Sequence, residues 1–183
     1  MTHDERVQLF KEEVQEHIPF MNQAMHDYLV RNRAFDAPAS TKYHGAWPGG
    51  WFDHSLCVMR QLVLLTERNG LVWQREESPY IVGFFHDVCK LDQYTEIRKD
   101  ENGAPVYAWR GDTLFKGHGD KSVMMLASLG AQLTEEEVVC IRYHMGAFTD
   151  KEMWNDYTRA VEKYPNVLWT HTADMIASHV YLK

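Results

Sequence analysis

Nitrogen- and oxygen-bearing side chains recur along the chain at the ends or inner faces of expected helices: His54, the adjacent pair His86 and Asp87, His118, His144 and Asp174. Imidazole and carboxylate together suit Mn, Fe, Co, Ni or Zn better than Ca or Mg alone. The chain carries 10 histidines in 183 residues, so what matters is which of them share a neighbourhood. His86 and Asp87 end the most apolar expected helix, which runs through Ile81, Val82, Phe84 and Phe85. A carboxylate at the edge of a core is costly unless it is paired or binds a metal. Alone, the pair would read as a surface turn, because charged side chains are mostly exposed. It is not alone.

The elements that must position these donors follow from the apolar pattern. Val7, Phe10, Val14 and Ile18 fall at helical spacing before Pro19, and a second helical stretch runs from Met21 to about Arg33. Residues 36–52 read as a loop, ending in Trp47-Pro48-Gly49-Gly50. A helix is expected over Asp53–Asn69, opened by His54 and stopped by Gly70. Ser78-Pro79 reads as an N-cap oxygen followed by proline, opening the short helix that ends at His86-Asp87. Residues 93–110 alternate around Asn102-Gly103, which predicts a small β-hairpin. Helical spacing resumes after Gly119 and stops at Gly130; Thr134 and Glu137 form a capping box for the next helix, which places His144 on the side of Ile141. Two more helices fit 150–163 and 166–181, and Asp174 shares the inner face of the last with His171. Every major helix after the first loop, except 150–163, thus offers a donor, and helical bundles build metal sites this way.

Bulk properties narrow the field. The length suits one domain spanning 1–183 and is short for two. Nineteen basic and 26 acidic side chains give a net charge of −7, so long duplex nucleic acid gains no general attraction. No apolar run suggests a signal peptide or a membrane span. Cys57, Cys89 and Cys140 are too few and too scattered for a disulfide framework, and read as buried thiols in a reducing compartment, with the cytoplasm as the expected location. Of the other histidines, His3, His17, His26, His44 and His179 have surface or packing roles as their expected use. His171 is a candidate to buttress a ligand. Tyr43, Trp47, Trp51 and Phe52 are expected to pack their loop on the core.

The order His54, His86-Asp87, Asp174 resembles the signature of HD-domain metal-dependent phosphohydrolases, over roughly residues 49–180. Ile81-Val82-Gly83-Phe84-Phe85-His86-Asp87-Val88-Cys89-Lys90 is similar to that family's apolar helix, His-Asp pair and following lysine. Gly50-Trp51-Phe52-Asp53-His54-Ser55-Leu56 and Gly117-His118 resemble the HD domains of bacterial 3′-to-5′ exoribonucleases and of HD phosphodiesterases. Two departures stand out: Cys89 where glycine is frequent, and Met145 where a second histidine often follows. These 183 residues show no segment resembling the nucleic-acid-binding domain of those exonucleases, so long RNA is not the expected substrate.

The resemblance implies an all-α fold, a single HD-type helical bundle with a β-hairpin insertion around 93–110. It implies two divalent transition-metal ions: one held by His54, His86, Asp87 and Asp174, the other by His118 and His144 with Asp87 bridging. Such a pair can share a hydroxide and clamp both oxygens of a phosphate ester. Lys90 would neutralise a phosphate oxygen electrostatically, with Lys121 a further substrate-binding candidate. The expected substrate is a nucleotide, cyclic nucleotide or short oligonucleotide, and a homo-oligomer is compatible with the reading. The alternatives are a non-catalytic nucleotide or metal sensor and, behind it, a di-iron HD-type oxygenase.

Overall fold

The computed structural model describes residues 1–182 apart from Leu114 and Lys116; Lys116, in the string leading to His118, and the terminal Lys183 lie outside the described residues. The expected all-α architecture with one small hairpin is what forms. In order, the elements are α1 (His3–Leu9), α2 (Gln23–Arg31), α3 (Gly50–Asn69), α4 (Ser78–Phe85), β1 (Tyr94–Lys99), β2 (Pro105–Trp109), α5 (Gly119–Ser128), α6 (Glu135–Arg142), α7 (Trp154–Lys163) and α8 (Asn166–Ile176). Short π-type turns extend α1 over Phe10–Val14 and α8 over Ala177–Tyr181. No helix among the described residues is long and apolar enough to cross a membrane.

The central helix α3 begins three residues earlier than its sequence pattern suggests. Gly49 adopts a left-handed backbone (φ 79°), and a Cβ there would fall 2.0 Å from the Arg6 guanidinium carbon. Arg6 fills that space and grips Asp53 with two hydrogen bonds, Nε to Oδ1 at 2.7 Å and Nη2 to Oδ2 at 2.9 Å. Trp47 Nε1 adds a third at 3.0 Å. The residue before His54 is thereby tied to the N-terminal helix.

Behind it, Trp51 and Phe52 are fully buried and meet Phe84 of α4 edge-on, with ring centroids 5.4 and 5.7 Å apart. Trp47 is half-buried, whereas Tyr43 is exposed and leaves the expected cluster. Gly83 lets α3 and α4 approach closely, since a Cβ there would lie 2.5 Å from Met59 Cα. Gly119 does the same for α5 and α6, with Arg142 O 2.2 Å from where a Cβ would be.

The capping box of α6 forms as expected, Thr134 Oγ1 accepting from Glu137 N at 3.2 Å and Glu137 Oε2 from Thr134 N at 2.8 Å. Glu137 has more to do. Its buried carboxylate also accepts from Arg75 and from the Ser78 hydroxyl at 2.8 Å. Ser78 therefore does not cap α4: Glu77 occupies the cap position, without a side-chain bond. The buried carboxylate needs the hydroxyl more than the helix end does.

In the hairpin, β1 pairs antiparallel with β2 and an irregularity falls between Glu96 and Arg98. Asp100 Oδ1 accepts from Asn102 N and Ala104 N, and Gly103 takes φ 80°, the turn chemistry anticipated from Asn-Gly. Of the cysteines, all free, Cys89 and Cys140 are buried as expected, but Cys57 is only half-buried because it sits toward the outer side of α3.

Candidate metal centre

His86 and His144 are held by one repeated device. Each follows the last turn of its helix, α4 and α6, where backbone carbonyls lack intrahelical partners. His86 Nδ1 donates to Gly83 O at 2.9 Å and His144 Nδ1 donates to Ile141 O at 2.6 Å. A carbonyl can only accept, so Nδ1 carries a proton, and in the neutral imidazole that leaves the lone pair of each Nε2 turned inward.

Asp87 joins everything. Its backbone is fixed from α3, where Trp51 Nε1 donates to Asp87 O at 2.8 Å. Its Oδ2 lies 3.4 Å from His86 Nε2, 3.5 Å from His54 Nε2 and 2.6 Å from Lys90 Nζ. Its Oδ1 lies 2.7 Å from His118 Nε2 and 3.4 Å from His144 Nε2. One carboxylate therefore sorts the imidazoles into two sets, one on each oxygen. Asp174 joins the first set through its Oδ1, 3.3 Å from His54 Nε2, and that oxygen also accepts from Ser178 Oγ at 3.1 Å. His54 and His86 face each other, Nε2 to Nε2, at 3.1 Å.

This arrangement leaves a specific deficit. His144 Nε2 and His54 Nδ1 are buried and have no hydrogen-bond partner, and His118 Nε2, at 2.7 Å, is the imidazole nitrogen closest to the buried Asp87 Oδ1. A neutral His144 with its proton on Nδ1 points a lone pair at the Asp87 carboxylate 3.4 Å away in a buried site. Two acceptors that face each other repel, and a cation between them removes the conflict. Donor atoms of His54, His86 and Asp87, of His86, His144 and Asp174, and of Asp87, Cys89 and His118 each lie within 4.8 Å of one another. The residues fit a metal ion.

The charges are mutually adjusted. Burial alone would raise the Asp87 carboxyl, but Lys90, His118 and His86 hold it well below the usual range. Burial opposes the charge on Lys90 too, yet Asp87 keeps its ammonium above the ordinary value. Burial pushes His54 down, and Asp174 and Asp87 more than reverse this, so its imidazole is held above 6.5. For Asp174, the bond and charge of His54 outweigh burial and depress the carboxyl. His118 goes the other way: burial lowers it, and Asp87 only partly compensates.

All six donors anticipated from sequence thus converge, carried by α3, the ends of α4 and α6, the start of α5, and α8. Lys90 meets Asp87 as described. Lys121 is fully buried and its ammonium is hydrogen-bonded to Asp92, so its charge has a partner away from Asp87.

Other residues at the centre were not anticipated. His44, expected on the surface or in packing, lies half-buried with its ring 5.0 Å from that of His54, and burial lowers it to about 4. It belongs to an irregular loop whose path no periodicity reveals. Cys89 Sγ sits 3.7 Å from His118 Nδ1, and burial, then Asp87, pushes its thiol up to about 12. His171, a candidate from the sequence, meets His144 through the backbone: its Nδ1 donates to His144 O at 2.8 Å. His17 stacks on Tyr80 with centroids 3.9 Å apart, and His3 pairs with Asp36. Comparison with family models, curated proteins and solved structures returned no match.

Proposed function

We propose that this chain is a metal-dependent phosphohydrolase of the HD type, acting on a nucleotide or a similar phosphoester. The observation that carries the reading is the division of Asp87: Oδ2 faces His54 and His86 while Oδ1 faces His118 and His144. A bridging carboxylate with imidazoles on both oxygens suits two ions better than one. His54, His86 and Asp174 would hold the first ion, His118 and His144 the second, with Asp87 shared. When bound, the metal supplies Lewis-acid stabilisation of phosphoryl charge and acidifies the attacking water.

The chain's own residues do the rest. Gly83 O and Ile141 O keep His86 and His144 in the tautomer that directs Nε2 inward. Lys90, held protonated beside Asp87, offers positive charge where a phosphate oxygen would gather negative charge, and it cannot serve as a base in that state. Buried walls around His54, His86 and His144 exclude bulk water.

Elemental analysis of purified protein should find Mn, Fe, Co, Ni or Zn, and that metal should support release of phosphate or a nucleoside monophosphate from a phosphoester panel. Asp87→Ala should lower turnover by at least about a hundredfold, several kcal/mol of charge stabilisation being lost. Full activity in that variant, or no turnover of any ester with any of these metals, would overturn the proposal.

A further inference from the structure

The centre is closed on nearly every side, and where it opens bears on what it accepts. His54, His86, Asp87 and His144 are buried, while the His118 side chain retains 28% of its exposure. A cleft of about 650 Å³ begins at His118 and runs between the end of the hairpin and residues 145–153. Its size is that of a small-molecule site.

Aromatic and apolar side chains form part of its wall. Trp109, the last residue of β2, and Phe148 both line the cleft and are 64% and 67% exposed. Met145 and Met153 line the same space. Large aromatic side chains left open beside a reactive centre mark a binding surface for another planar or apolar group.

The charges narrow the choice. Among the described residues of the cleft, each cation already has a carboxylate: Arg110 pairs with Asp112 at 2.8 Å, Arg142 with Asp120 at 2.6 Å, and Lys121 with Asp92. Asp150 adds another negative charge to the lining. Among the described residues no surplus positive charge is left there for a second or third phosphate.

We infer that the cleft seats the uncharged aromatic ring of a phosphate monoester, between Trp109 and Phe148, with its single phosphate reaching the centre past His118. The ligand class is a nucleoside monophosphate or a compound of the same build, and polyphosphates and oligonucleotides are disfavoured. The inference rests on the hydrolase reading for the phosphate end and on the cleft alone for the ring. It makes the hairpin part of the binding site.

Ligands that differ in one part each test it. The manganese-loaded full chain is titrated with adenosine 5′-monophosphate, ribose 5-phosphate, adenosine 5′-diphosphate and adenosine, reading tryptophan fluorescence and phosphate release in the same samples. The monophosphate should bind roughly tenfold or more tighter than ribose 5-phosphate, as expected for one stacked base, and tighter than the diphosphate. Trp109→Ala and Phe148→Ala should each shrink the first gap severalfold without changing bound metal, and Trp109→Phe should restore most of it. Adenosine, which needs no metal, should bind the unaltered chain and lose affinity in both alanine variants. Equal binding of the monophosphate and ribose 5-phosphate, or a gap that both variants preserve, would overturn the ring site. Tighter binding of the diphosphate would overturn the single-phosphate limit. Phosphate release without a ring preference leaves the hydrolase reading standing and removes this one; a ring preference without turnover of any ester in the wider panel with any of the metals does the reverse.

Discussion

Gly83→Ala separates the geometry of the centre from the chemistry of its ligands. Gly83 lies on α4, three residues before His86, and faces Met59, five residues after His54 on α3. The added methyl would fall 2.5 Å from Met59 Cα, about 0.9 Å short of the 3.4 Å at which ordinary contact begins, and 3.0 Å from Met59 N. These are backbone atoms with no rotamer to give way, so the helices must part. His54 and His86 are 3.1 Å apart at Nε2, and metal–ligand distances tolerate only about 0.2 Å. A separation of several tenths of an ångström is enough to loosen one imidazole. Overpacking of this kind costs about 1–3 kcal/mol, or roughly 2–12 °C in Tm for a chain of this size. Alanine is the better helix former by about 1 kcal/mol, so local propensity acts in the opposite direction. Calorimetry of the metal-free variant reads the first effect, and competition against a chelator reads metal affinity, which should fall at least about tenfold. Unchanged Tm together with unchanged metal affinity would refute the claim that this helix contact sets the spacing of the two histidines.

Three further outcomes follow from the same structure. Arg6→Ala leaves the largely buried Asp53 carboxylate with Trp47 and without its cation, and should cost about 3–5 kcal/mol in urea unfolding; Arg6→Lys should recover only part, lacking the two-pronged fit. Asp174 and Asp87 hold His54 above its ordinary 6.5, so metal loading near pH 6.5 should release protons from it, measurable by calorimetry in buffers of different ionisation enthalpy. Its raised value stabilises the metal-free fold fully below pH 6.5, and that contribution is lost as pH rises through the folded-state value. The depressed carboxyls of Asp87 and Asp174 act oppositely, stabilising above their ordinary 3.8 and losing this as pH falls toward their folded-state values. Metal-free Tm should therefore decline on the alkaline side while the gain from added metal grows; a gain that is flat with pH would count against the raised His54.

The sequence shows the helices, the hairpin and the six donors because each leaves a local mark. Thr134 and Glu137 are a spacing, Asn102-Gly103 is a turn chemistry, and His86-Asp87 ends an apolar run. What it hides are relations set by packing. Ser78 looks like a cap, but Glu137, 59 residues away, takes its hydroxyl. His44 has no periodic neighbours, and only the fold brings it beside His54. Lys121 looks like a free cation next to His118, and only the coordinates reveal Asp92 against it.

The order in which helices pack explains why one carboxylate must serve two sets of imidazoles. α3 and α4 close on each other at Gly83 and bring His54 to His86. α5 and α6 close at Gly119, where the α6 carbonyls of Ile141 and Arg142 occupy the space of a side chain, and bring His118 to His144. Asp87 is the first residue past His86, and the turn it begins is tied to α5 by Cys89 N donating to Ser122 Oγ at 3.2 Å. It is thus on the junction of the two pairs, with one oxygen toward each. α8 then braces both sides, Asp174 against His54 and His171 under the carbonyl of His144. On the two-ion reading proposed above, His118 and His144 would hold the second ion on the Oδ1 side of Asp87, as His54, His86 and Asp174 would hold the first on the Oδ2 side.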